Sequence, residues 1–232
     1  MHAFGVEHSV RTHPDLRGDT ELSGQVAAII PHLRKLRDQG VTRIGVETKT
    51  NGKVPNEVYN FADRYFRAVE LRAKRNGIEV VHVEDSPHSK ALHVVAGALW
   101  HIGRNSFEAD TPADFQKLIE DVAKEAGHDL DVTNRAKLIG AIVYVHPREM
   151  DKKSALHLMR VVNFERSLEM YKRAKELGVT HIVVGAAHAR DLDQSKLANV
   201  TYVGRANGTW TKREINVNTS DLLNAIRRTK FL

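Results

Sequence analysis

Two short apolar runs in this sequence end in the same pattern, Gly-x-x-His: Gly5-Val6-Glu7-His8 at the beginning and Gly185-Ala186-Ala187-His188 far along the chain. A histidine just past a strand end is chemically useful. Its imidazole changes charge near neutral pH, and in the neutral form one ring nitrogen carries a lone pair, so it serves as a general base or as a metal ligand. A carboxylate, Glu47, ends the run Arg43-Ile44-Gly45-Val46-Glu47. Two histidines and one carboxylate hold a divalent metal such as Mn, Co or Zn while leaving a position open for a water to be activated. Without a metal, the same groups make a base with an orienting carboxylate. His8, Glu47 and His188 are therefore the expected metal set or the expected direct catalytic set. For Glu47, pairing with the nearby Lys49 or capping a turn is the plainer alternative.

Arg166, in Asn163-Phe164-Glu165-Arg166-Ser167, falls at helical spacing with Met159, Val162, Met170, Ala174 and Leu177. Burying a guanidinium unpaired on such an apolar stripe is strongly unfavourable, so it calls for a carboxylate such as Glu47 or an anionic group of a substrate. A structural ion pair and a catalytic role both satisfy that demand. Glu165 lies about 100° round the same helix and faces either the rim or solvent. His82, His88 and His93, with Glu84 and Asp85, make a second polar group that lines a pocket or lies on the surface. Thr50-Asn51-Gly52-Lys53-Val54-Pro55 has the composition of a substrate-covering loop and equally of an ordinary turn. No HExxH, Walker loop, GxSxG or GxGxxG occurs, which removes the usual support for zincin, nucleotide-binding and serine-hydrolase assignments.

Positioning such residues takes a scaffold that brings distant strand ends to one rim, and the hydrophobic pattern supplies one. Short runs rich in β-branched residues at Ala3 to Val6, Arg43 to Glu47, Glu79 to Val83, His181 to Val184 and Val200 to Val203 alternate with segments of helical period. That alternation predicts an α/β fold, with a mostly parallel or mixed central sheet flanked by helices. Helices are expected over Leu22 to Asp38 and Glu57 to Arg75, each closed near a glycine, Gly40 or Gly77. A long helix runs from about Lys153 to Leu177 and ends at Gly178. Between the halves of the sheet, residues 86–150 read as a helical insertion within a single domain spanning 1–232. Ser89 to His101 and Pro112 to Ala126 are its helices, and Ile139 to Val145 fits either a strand or the tail of a helix. In an open parallel sheet, ligands bind beyond the carboxyl ends of the strands, where both Gly-x-x-His patterns and Glu47 fall.

The chain has no cysteine, so disulfides and thiolate metal sites are excluded and a reducing compartment is expected. The first residues lack a signal peptide's basic segment and apolar stretch, and nowhere do about 18 apolar residues run together. A cytoplasmic protein without membrane segments is the expectation. The net charge of +6 raises an acidic partner such as nucleic acid. Yet Arg34, Lys35 and Arg37, Arg72, Lys74 and Arg75, and Arg227, Arg228 and Lys230 all sit in helix-like segments with acids or polar residues nearby, as solvated faces do. Of the thirteen histidines, His2, His13, His32, His101 and His128 follow no chemical pattern.

Taken in order, Gly5-x-x-His8, Glu47, Glu165-Arg166 and Gly185-x-x-His188 resemble the motifs of the TraB/GumN/TIKI superfamily, to which erythromycin esterase-like and haem-binding ChaN-like proteins are related. The resemblance spans residue 3 to about residue 205; Ser167 stands where the superfamily's helix motif usually continues Glu-Arg-Asn. It implies a sheet with a helical insertion and a site built from His8, Glu47, Glu165, Arg166 and His188. TIKI members are metal-dependent proteases, and the esterase branch comprises hydrolases using histidine and glutamate. Three functions follow as expectations: a hydrolase of peptide, ester or amide bonds acting on a small-molecule or peptide substrate; a non-catalytic protein holding haem or another ligand; and a basic nucleic-acid-binding protein.

Overall fold

In a computed structural model the chain is described over residues 1–7, 18–47, 57–104, 107–147, 150–204 and 220–231, the side chains of 18–23, 57–63, 220 and 231 excepted. Five strands, β1 (His2–Val6), β2 (Arg43–Val46), β3 (Glu79–His82), β4 (His181–Gly185) and β5 (Asn199–Val203), form one sheet in the order β3-β2-β4-β1-β5. Every pairing is parallel. All five carboxyl ends therefore lie along one rim.

The helices are α1 (Gly18–Asp38), α2 (Glu57–Arg75), α3 (Pro87–Gly103), α4 (Pro112–Glu125), α5 (Leu130–Tyr144), α6 (Lys152–Glu176), α7 (Ala186–Gln194) and α8 (Ser220–Arg228). Gly40 and Gly77, which follow α1 and α2, have φ of 78° and 72°, the left-handed conformation that closes a helix without a Cβ clash. Ile139 to Val145, which the sequence left open between strand and helix, belongs to α5 up to Tyr144. The side chain of Asp129 accepts from the Val132 amide and starts this helix, overriding the β-branched run at its end.

The chain divides into two compact units, Met1–Glu84 with Ser167–Glu214, and Asp85–Arg166 with Ile215–Leu232; the division falls within α6. The first unit holds the sheet. Alternation along each strand sends Phe4, Val6, Ile44, Val46 and Val183 into one core with Ile29 and Leu33 of α1 and Tyr65 and Val69 of α2. Ala3, Ile182 and Val184 enter the opposite core with Met170 and Ala174 of α6 and Ala189 and Leu192 of α7. The second unit has a core of its own, including Leu92, Leu99, Phe115, Ile119, Ile139, Leu158 and Ile226. It takes in the region expected as an insertion over 86–150, together with the start of α6 and α8. Among the described residues, no helix is long and apolar enough to cross a membrane.

At the amino ends of β1 and β4, three histidines gather around Phe4. The rings of His2, His32 and His181 lie 4.8, 5.3 and 6.4 Å from that of Phe4. Burial lowers the pKa of all three; beyond that, His2 feels His32, the Met1 amino group and Lys35, His32 feels Lys35, and His181 feels His2 and the Met1 amino group. Folded pKa values below the ordinary histidine value mean that the unfolded chain binds protons first, so these groups remove stability as pH falls below about 6.5. In denaturant titrations a His32→Asn/His181→Asn variant should gain stability relative to wild type as pH falls from 7 to 5, whatever the buried carboxyls contribute to both proteins. A difference between the two proteins that does not change with pH would place the acid sensitivity elsewhere.

Candidate active site

The site is assembled by strand register. Gly45 and Val46 pair with Ile182 and Val183, and the Glu47 amide extends the ladder by donating to the Val183 carbonyl at 3.0 Å. Glu47 thus arrives level with the end of β4, where the chain turns at Gly185 into α7. The Gly185 amide donates to Glu47 Oε2 at 2.6 Å. A carboxylate at a helix amino terminus meets the positive end of the helix dipole, which helps offset burying Glu47 completely. The plainer expectation of a pair with Lys49 involves a residue outside the described ones.

His188, in the first turn of α7, is 6% exposed, and its Nε2 lies 3.8 Å from Glu47 Oε1. The other ring nitrogen, Nδ1, is 2.8 Å from Ser167 Oγ on α6, and Ser167 in turn donates to Asp191 Oδ2 at 2.7 Å. Asp191 Oδ1 lies 3.7 Å from Arg190 Nη2. Four buried side chains of the first unit therefore form a row: Glu47, His188, Ser167, Asp191. Placing α7 so close to the sheet requires Gly5: a Cβ there would stand 2.8 Å from Ala189 Cβ and 2.9 Å from Tyr202 Cδ1.

Of the residues singled out by sequence, Glu47 and His188 come together. His8 lies outside the described residues, as does the segment from Thr50 to Pro55; Glu7, just before His8, is buried at the carboxyl end of β1. Arg166 and Glu165 belong to the second unit. There, Arg166 donates to Asn163 Oδ1 at 2.8 Å and to His93 Nδ1 at 3.3 Å, so His93 presents an acceptor nitrogen. Glu165, fully buried, takes the Nε–H of Arg227 at 2.8 Å. In the other polar group, His82 is half-exposed near Glu70, whereas Glu84 and His88 are buried. The basic clusters carry acids: Arg37 pairs with Asp38, Lys74 with Glu70 and Arg227 with Glu165.

Ser167 and Asp191 were missed as functional candidates. Asp191 stands three residues after His188, on the same face of α7, which is a usable signal. Ser167 carried only its position beside Arg166. For the expected metal set, two donors, Glu47 Oε1 and His188 Nε2, converge; among the described residues no group of three or more His, Asp or Glu side chains is placed to hold a metal. Comparison with family models, curated proteins and solved structures returns no match to this chain.

Burial pushes the Asp191 carboxyl up to about 6, against the pull of the Ser167 hydrogen bond and of Arg190. A carboxyl raised above its unfolded value contributes stability at low pH that is lost as pH rises to the folded value. For Asp191 that loss is about 3 kcal/mol at most by pH 7. Asp191→Asn, which keeps an acceptor for Ser167, should raise the unfolding midpoint, with an advantage over wild type that grows between about pH 4 and 7. An advantage independent of pH would show that the carboxylate is not held at a cost.

Proposed function

We propose that the chain is a hydrolase of peptide, ester or amide bonds in which His188 and Glu47 activate a water. The observation that carries this reading is the pair itself: an imidazole nitrogen and a carboxylate oxygen 3.8 Å apart, both buried, at the carboxyl ends of parallel strands. A water held between them gives one proton to the pair as its oxygen attacks the carbonyl carbon. The protonated group then returns that proton to the leaving amine or alcohol as the tetrahedral intermediate collapses. The order of motifs that resembles the TraB/GumN/TIKI superfamily supports the same class.

A divalent metal fits the chemistry of this donor set. Glu47 and His188 would be two of its ligands, and His8, outside the described residues, is the third that the sequence offers. Such an ion would acidify a bound water. In either form the chain's own contribution is to hold a base and a carboxylate in a dry, fixed geometry.

The test is turnover on a panel of peptides and activated esters, with elemental analysis of protein purified without a histidine tag. His188→Ala and Glu47→Gln should each lower kcat/KM by about 10² to 10⁴. A near-stoichiometric metal absent from a His8→Ala/His188→Ala variant would establish the metal-dependent form. Absence of turnover with haem or another ligand retained through purification would overturn the hydrolase in favour of a binding protein.

A further inference from the structure

The row of four buried polar groups fixes the direction in which its hydrogens point. Ser167 Oγ carries one hydrogen and lies 2.8 Å from His188 Nδ1 and 2.7 Å from Asp191 Oδ2. An ionised carboxylate accepts and cannot donate, so the hydroxyl hydrogen goes to Asp191. The short contact between Ser167 and His188 is then a hydrogen bond only if His188 supplies the hydrogen from Nδ1. In a neutral imidazole this leaves the lone pair on Nε2, the atom that faces Glu47. The 3.8 Å between Nε2 and Glu47 Oε1 is too long for a direct hydrogen bond, while a water about 2.8 Å from each atom, or a cation about 2.1 Å from each, spans it.

We propose that Ser167 and Asp191 are positioning residues that hold His188 as the neutral Nδ1–H tautomer, so that His188 Nε2 and Glu47 Oε1 form a two-acceptor site for a cation or for the hydrogens of a water. Asp191 decides the arrangement. Were it unable to accept, Ser167 would turn its hydrogen to His188 Nδ1, the imidazole would carry its proton on Nε2, and the lone pair facing Glu47 would be gone. This deepens the hydrolase reading and rests on it for its consequence in catalysis, but its test does not depend on turnover.

The measurement is long-range proton–nitrogen correlation NMR on chelator-treated protein labelled with ¹⁵N-histidine, at pH 8. The His188 signals are identified as those missing from a His188→Gln variant. In wild type Nδ1 should be protonated and Nε2 unprotonated. Asp191→Leu should invert the pattern, and Ser167→Ala should bring the two nitrogen shifts towards each other as the preference is lost. A wild-type His188 carrying its proton on Nε2, or on both nitrogens, overturns the proposal, as does an Asp191→Leu variant whose tautomer is unchanged. Should Asp191→Leu fail to fold, the wild-type spectrum and Ser167→Ala decide alone. An Nδ1–H tautomer in a protein without turnover would sink the hydrolase and keep this inference; turnover with an Nε2–H tautomer would do the reverse.

Discussion

The Gly185 amide reaches Glu47 Oε2 because β2 and β4 run parallel in one register, and that contact sets the geometry of the candidate site. A fully buried carboxylate carries a large desolvation penalty; a charge-assisted bond of about 1.5–3 kcal/mol and the amino end of α7 help to offset it. Shifting β2 by one residue would turn Glu47 to the other face of the sheet and leave both the carboxylate and the amide without this bond. Register, helix start and carboxylate position are therefore one constraint. His188 inherits its place from it, since it stands in the turn that begins at Gly185.

The remaining polar groups of the row are held by apolar packing. Met170 and Ala174 of α6 and Ala189 and Leu192 of α7 share a core with Ala3, Ile182 and Val184, which fixes the helix that carries Ser167 against the helix that carries His188 and Asp191. Gly5 permits that approach, and any side chain there would press on α7. The same packing raises Asp191 to about 6 by excluding water. A protein selected for stability alone would replace such a carboxylate with an apolar side chain; its presence beside a buried histidine fits a part in setting the state of that histidine.

The second unit follows simpler rules. Ser86, Thr111 and Asp129 cap α3, α4 and α5, with a reciprocal capping box between Thr111 and Asp114. Its buried charges are treated as burial demands: Glu165 meets Arg227, and Arg166 is met by Asn163 and His93.

The sheet was legible in the sequence because hydrophobic periodicity is local: all five strands fall within a residue or so of where β-branched runs placed them, and α2 and α6 nearly match their expected limits. The α5 helix was only half legible, since a short β-branched run does not reveal whether a cap ten residues earlier has already started a helix. Glu47 and His188 were legible as a pair because both follow strand ends, and parallel strands deliver their ends to one rim. The partnership of Ser167 with Asp191 was not, and neither was the gathering of His2, His32 and His181 about Phe4. Those contacts join residues far apart in the chain through the packing of α1, α6 and α7 on the sheet. Strand ends are fixed by local pattern, whereas the side chains that meet across two packed helices are fixed only when the helices have docked.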